Sequence, residues 1–317
     1  MKKIYFASAI IFTLTIKAQT IVTSNVTWPL GMELSGNTMF VAENSIDRIS
    51  KLDLSQTNPI PEPYITGLYR PDYMYLDGTI LYFTEFYGNK ISKVDIMQQS
   101  PTVTVILSDL NNPKGIFLHG DFLYYSEMNK ISKIDITQPN PIPIVLVNNL
   151  TGPISIVRHE NYLFYSQFFL GRISKIDFTD SNPVPIIVKN GLLGVNGDMA
   201  VRNNILYFAE QDISTISTLD LTQIDPPLTT FDTGIKASGF YFHQDKLYVS
   251  DFMANKIYEY SVPLSVQQNE KNKIGFYPNP VRRSALVLLG KNVCSNQENF
   301  IIAERTLLLF PFLRKCA

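Results

Sequence analysis

A five-residue motif returns along this chain at nearly constant spacing. Ile-Ser-Lys-hydrophobic-Asp begins at Ile49, Ile91, Ile131 and Ile173, and weaker copies begin at Ile216 and Ile257. The intervals are 42, 40, 42, 43 and 41 residues. A period of about 40 in β-rich sequence predicts four-stranded blades that bury their faces only against neighbouring blades. The expected fold is all-β: a six-bladed β-propeller of four-stranded blades.

Each unit reads alike. A first strand follows Pro or Gly, as at 31–34, 73–76 and 115–118, and a polar turn comes next, as in Asp77-Gly78-Thr79. The second strand is aromatic (81–85), the third carries the motif, and the fourth is β-branched and follows Pro, as in Ile144-Val145-Leu146-Val147. The sixth unit stops after its third strand, near Val262. Thr20-Ile21-Val22-Thr23 before Trp28-Pro29-Leu30-Gly31 has the layout of Thr102-Val103-Thr104-Val105 before Pro113-Lys114-Gly115. The N-terminal strand is therefore expected to complete the last blade and close the ring.

With 45% hydrophobic and 17% charged residues among 317, the chain can bury a large core. Two cysteines are too few for a disulfide scaffold or a four-cysteine zinc site. Residues 20–264 hold 16 basic and 25 acidic side chains, a balance of −9, which argues against nucleic acid as a partner. Met1-Lys2-Lys3, the apolar run from Ile4 to Ile16 and the exit Ala18-Gln19 predict a signal peptide over 1–19. That run is short for a bilayer span, and no other stretch is as apolar. The mature chain is expected to be a monomer without a membrane span, secreted or on the outer cell surface.

The second strands read Met39-Phe-Val-Ala-Glu43, Leu81-Tyr-Phe-Thr-Glu85, Leu123-Tyr-Tyr-Ser-Glu127, Leu163-Phe-Tyr-Ser-Gln167, Leu206-Tyr-Phe-Ala-Glu210 and Leu247-Tyr-Val-Ser-Asp251. They resemble the Tyr-Trp-Thr-Asp repeat of the six-bladed propellers in low-density-lipoprotein-receptor relatives, and the NHL-type propellers, although the Trp is absent from every copy. The resemblance covers 20–264 and implies the fold. After a polar linker (265–273), Tyr277-Pro278-Asn279-Pro280 resembles the start of the C-terminal sorting domain of the type IX secretion system of Bacteroidetes, which implies that system's machinery as a partner. Only 36 residues follow Val281, and Leu307–Leu313 shows neither strand alternation nor helical period. Residues 274–317 are therefore expected to be a remnant of such a domain, truncated or frameshifted after about Val281, with Cys294 and Cys316 carrying no function.

Candidate chemistry is sparse. His119, His159 and His243 share one repeat position, so the ring keeps them apart and no shared metal site is expected. Glu43, Glu85, Glu127, Glu210 and Asp251 end their second strands, with Gln167 in the remaining blade. They either ring the channel as a cation site or, the preferred reading, pair across the hairpin with Arg48, Lys90, Lys130 and Lys256. Blades four and five break the pattern. Arg172 and Glu210 either pair between blades or mark a ligand site. The loops between strands two and three share a face with the blade-to-blade connections, which gathers Trp28, Tyr69, Arg70, Met128 and Met253 with the candidate ligand-binding set Phe86, Tyr87, Phe168, Phe169, Arg172, Glu210 and Phe252. Aromatic side chains beside a few charges suit a protein or glycan partner. There is neither a Gly-x-Ser-x-Gly elbow nor a His-Glu-x-x-His pair. The expected function is a binding module with no catalytic residues, cofactor or metal. The rival is a metal-dependent, gluconolactonase-type hydrolase using Glu43, Asn196 and Asp251.

Overall fold

The computed structural model describes residues 19–262 and four strand segments between 275 and 310. The chain divides into two compact units, Met1–Leu264 and Ser265–Ala317. Of the expected signal segment 1–19, residues 1–18 lie outside the described residues, as do the linker 265–273 and both cysteines, and Gln19 is instead the first residue of a strand.

The first unit is the propeller. Six four-stranded antiparallel sheets follow one another, and the sixth is completed by Gln19–Thr23, paired with Lys256–Ser261. The N-terminal strand thus closes the ring, as the repeat predicts. Blade two shows the common plan: Pro71–Asp77 innermost, then Ile80–Glu85, Lys90–Asp95 and the outer Thr104–Leu107. That outer strand starts two residues later than the β-branched run, and its ladder carries a bulge at Ile91/Ser92.

Burial explains why the second strands read as unbroken apolar runs. In Ile80–Glu85 every residue after the first is buried, because both faces pack against other sheets. Apolar clusters fill each junction between blades. Phe40, Ile49, Met74 and Phe83 join blades one and two, and Val26, Met39, Tyr248 and Ile257 join blades six and one. The motif Asp serves the turn after strand three: Asp53, Asp95, Asp135, Asp177 and Asp220 each accept the N–H two residues on. The sixth copy has Ser261 at this position, and the described residues of its blade end at Val262.

Side chains also stitch the junctions. Thr84, Ser126 and Ser250 donate to Lys114, Ile154 and Leu30 carbonyls of the next blade, at 2.9, 2.6 and 2.9 Å. Blades one and five have Ala42 and Ala209 at that position. Two residues on, Asn44 and Gln211 donate instead to the Pro71 and Ala237 carbonyls, at 3.1 and 2.8 Å. Ser155 donates to Asp198 Oδ1 at 2.8 Å across the fourth junction. The inner strands approach so closely that a Cβ on Gly239 would lie 2.1 Å from the Leu30 carbonyl oxygen.

The second unit is a four-stranded antiparallel sheet of Gly275–Pro278, Ala285–Leu288, Asn299–Ala303 and Thr306–Phe310. The apolar run read as patternless supplies the last strand, with Leu307–Leu309 paired to Phe300–Ile302. A continuous apolar run is a strand pattern in its own right where alternation is not required.

Deleting residues 19–27 removes the outer strand of blade six and exposes the edge of Lys256–Ser261. The propeller is expected to lose most of its thermal stability. A scan of the deletion against residues 19–264 checks this, and an unchanged Tm would rule out a structural role for the closing strand. Ser126→Ala removes a buried hydroxyl that bonds both the Gly115 N–H and the Ile154 carbonyl, but these two still pair with each other at 2.9 Å, so the loss is expected to be that of an ordinary hydrogen bond, about 0.5–1.5 kcal/mol in urea denaturation.

Candidate functional site

The carboxylates ending the second strands do not ring the channel. They are buried, and the four glutamates each hold the connection that enters their own blade. Glu43 accepts Thr27 N–H at 2.7 Å, the Ser50 hydroxyl and Arg48 Nε at 2.6 Å. Glu85 accepts Tyr69 N–H and Ser92 Oγ, both at 2.9 Å, with Lys90 Nζ at 3.3 Å. Glu127 accepts Asn111 N–H at 2.9 Å, and Lys130 Nζ lies 3.1 Å away. The expected hairpin pairs are present in these three blades. In blade six the shorter Asp251 accepts instead from Met253 and Ala254 N–H groups.

The residue after each latched N–H turns left-handed. Trp28, Arg70 and Asn112 have φ of 48, 55 and 50°, where blades four and five use Gly152 and Gly194. Their N–H groups are held by Asn255, Asp47 and Asn89 of the preceding blade, at 2.8, 2.9 and 3.1 Å. A Trp in this conformation is strained.

The upper mouth of the channel is a cavity of about 240 Å³ with two of these residues, Trp28 and Arg70, on its wall. Its rim carries two aromatic pairs, Trp28–Phe252 at 5.1 Å and Phe86–Tyr87 at 5.0 Å between ring centroids. Arg70 lies over the Tyr87 ring and Lys114 over Phe86, at 5.8 and 4.8 Å. Lys114 also pairs with buried Asp72 at 3.1 Å. Asn196, Gln211 and Ser238 add amide and hydroxyl groups to the lining.

Of the predicted set, Phe86, Tyr87 and Phe252 line this cavity, and Phe168, Phe169, Arg172 and Glu210 do not. Phe168 packs on the core between blades two and three, and Phe169 lies against Gly152. Arg172 Nε donates to Gln167 Oε1 at 2.7 Å within its own blade. Glu210 accepts Leu193 N–H at 3.0 Å and Ser217 Oγ at 2.5 Å, as its counterparts do. The asymmetry of blades four and five is thus absorbed locally. Trp28, Arg70 and Asn196 were visible as residues, but the left-handed backbone that aims the first two has no sequence signature outside Gly and Asn. Of the rival metal set, only Asn196 lines the mouth. Among the described residues, no three His, Cys, Asp or Glu side chains are placed to share a metal ion.

Below the floor, desolvation raises the Asp198 carboxyl to about 7, against the Ser155 and Met199 hydrogen bonds and with a further push from Asp72. The folded carboxyl keeps its proton where the unfolded one, near 3.8, has lost it. Its contribution to stability therefore falls as pH rises from about 4 to about 7 and is level above. Asp198→Asn is expected to be more stable than wild type at pH 8 and no more stable at pH 4.5. Urea midpoints at the two pH values check this.

No family model matches the chain, and no curated protein matches it significantly. Solved structures share the fold. A gluconolactonase from Xanthomonas campestris superposes with a TM-score of 0.67 at 13% identity, covering 79% of this chain and 91% of that one. An auxiliary nutrient binding protein from Bacteroides thetaiotaomicron gives 0.61 at 13%, covering 75% and 69%. Virginiamycin B lyase from Staphylococcus aureus gives 0.57 at 14%, covering 77% and 98%. At these identities the likeness is one of fold. No helix among the described residues is long and apolar enough to cross a membrane.

Proposed function

We propose that the propeller is a binding module whose upper mouth takes the end of a glycan. The observation that carries this reading is the strained Trp28, turned left-handed at a position where blades four and five use Gly, and tilted against Phe252 over a polar floor. Two aromatic pairs offer flat apolar faces to the C–H side of a sugar ring. Asp72, Asn196, Gln211 and Ser238 offer acceptors and donors to its hydroxyls. The cavity is below the range of about 300–1,000 Å³ usual for drug-sized ligands, which favours a single ring or chain end. The signal-like N-terminus and the Tyr-Pro-Asn-Pro segment support action outside the inner membrane, at the outer surface, with the tail as the part addressed to type IX secretion.

Trp28 is the only tryptophan in the chain, so its emission reports on the mouth directly. Titration with glucose, galactose, mannose and N-acetylglucosamine is expected to shift that emission saturably for at least one of them. Tyr87→Ala and Phe252→Ala are each expected to weaken that binding about thirtyfold, the loss of an anchor worth about 2 kcal/mol. Trp28→Gly, followed by calorimetry, should lose binding while the Tm holds or rises, because the strain is relieved. His119→Ala, at the far end of its inner strand, should bind normally. No response to any sugar, or equal loss from His119→Ala, overturns the assignment.

A further inference from the structure

The opposite mouth is a second cavity, of about 590 Å³, and it is built differently. Strand register places one residue of each inner strand around it, each paired with the aromatic third residue of the strand that follows. These six are Glu33, Tyr75, Phe117, Val157, Ala200 and Tyr241, and all line the cavity. Five positions are apolar or aromatic, and one is a carboxyl. No ion pair engages Glu33 among the described residues. The Tyr75 and Tyr241 phenols lie close enough to feel its charge, and Asp198 stands on the same wall.

We propose that this lower mouth binds a small organic ammonium ion, with its charge against the Glu33 carboxylate and its alkyl groups against the Tyr75 and Tyr241 rings. Three aromatic rings around one acid are what an alkylated cation prefers to water. The acidic balance of residues 20–264 adds a field of the same sign. The nearby cations do not occupy the place. Arg158 donates to the Glu160 carbonyl at 3.0 Å and lies over Phe178, and Arg202 lies over Phe242.

Burial, aided by Asp198 and opposed by a backbone hydrogen bond from Leu76, holds Glu33 well above the ordinary carboxylate range. A bound ammonium ion would draw Glu33 back to carboxylate and release its proton to solvent. The other ionisable groups lining the cavity are Tyr75, Arg158, His159, Glu160, Asp198 and Tyr241, and Asp77 acts on Tyr75. The tyrosines stay protonated, because burial raises both phenols. This site shares no lining residue with the upper mouth, so its failure would leave the glycan reading untouched.

The test is calorimetry with choline and its uncharged isostere 3,3-dimethyl-1-butanol on the full chain. Choline is expected to bind at least tenfold more tightly than the alcohol, with a heat that changes with buffer ionisation enthalpy as a proton is released. Glu33→Gln, isosteric with the neutral acid, is expected to keep its Tm and lose that tenfold preference. Tyr241→Leu, which removes one wall of the cage, should weaken choline binding without restoring the alcohol. Equal binding of the two ligands, no choline binding at millimolar concentration, or unchanged preference in a folded Glu33→Gln overturns the proposal.

Discussion

A buried carboxylate must be surrounded by donors or it unfolds what surrounds it. In this propeller that constraint is repeated down the second strands, and much of the molecule follows from it. Glu85 needs Tyr69 N–H, Ser92 and Lys90 at once. The first fixes where the connection enters the blade, the second explains the Ser of the recurring motif, and the third sets the hairpin. The residue after the latched N–H is then forced into a left-handed turn at the channel mouth. Trp28 and Arg70 thus reach the site as a consequence of Glu43 and Glu85 at the end of the neighbouring strand.

The two mouths use this frame in opposite ways. The upper one concentrates backbone strain and paired charge: left-handed Trp28 and Arg70, and the Lys114–Asp72 pair. The lower one concentrates unpaired acid in apolar surroundings, at Glu33 and, one layer up, Asp198. Both arrangements spend stability that an ordinary repeat would have kept. Elsewhere the blades show the thrifty solution, with Gly152 and Gly194 in the turns and Val157 or Ala200 around the channel.

Most of the architecture was legible because it rests on periodic residues. The hairpins, the closing strand and the Asp-capped turns all follow from the spacing of Ile49, Ile91, Ile131 and Ile173. The site was half legible. Phe86, Tyr87 and Phe252 follow their second strands directly and turn to the mouth. Phe168, at the same repeat position, packs against the apolar core between blades two and three instead, a tertiary contact that the loop sequence does not announce. Arg172 and Glu210 looked unmatched only because their partners are an amide and a backbone N–H, which charge patterns do not register. The lower cage went unread because its six residues share a position but no chemistry. Only the strand register aligns Glu33 with Tyr75 and Tyr241.

The clasp of the ring joins the two ends of the propeller: the Gln19 side chain donates to the Tyr260 hydroxyl, 241 residues on. Every other blade is a set of hairpins that can form as soon as its own forty or so residues exist. The first strand to emerge from synthesis must instead wait for the last. Closure is therefore the one step whose rate is governed by long-range encounter. Until it happens, five complete blades carry an open edge at the sixth, and the upper mouth lacks the Asn255 side chain that holds Trp28 in place. The upper mouth is thus completed all at once, with the final pairing, rather than blade by blade.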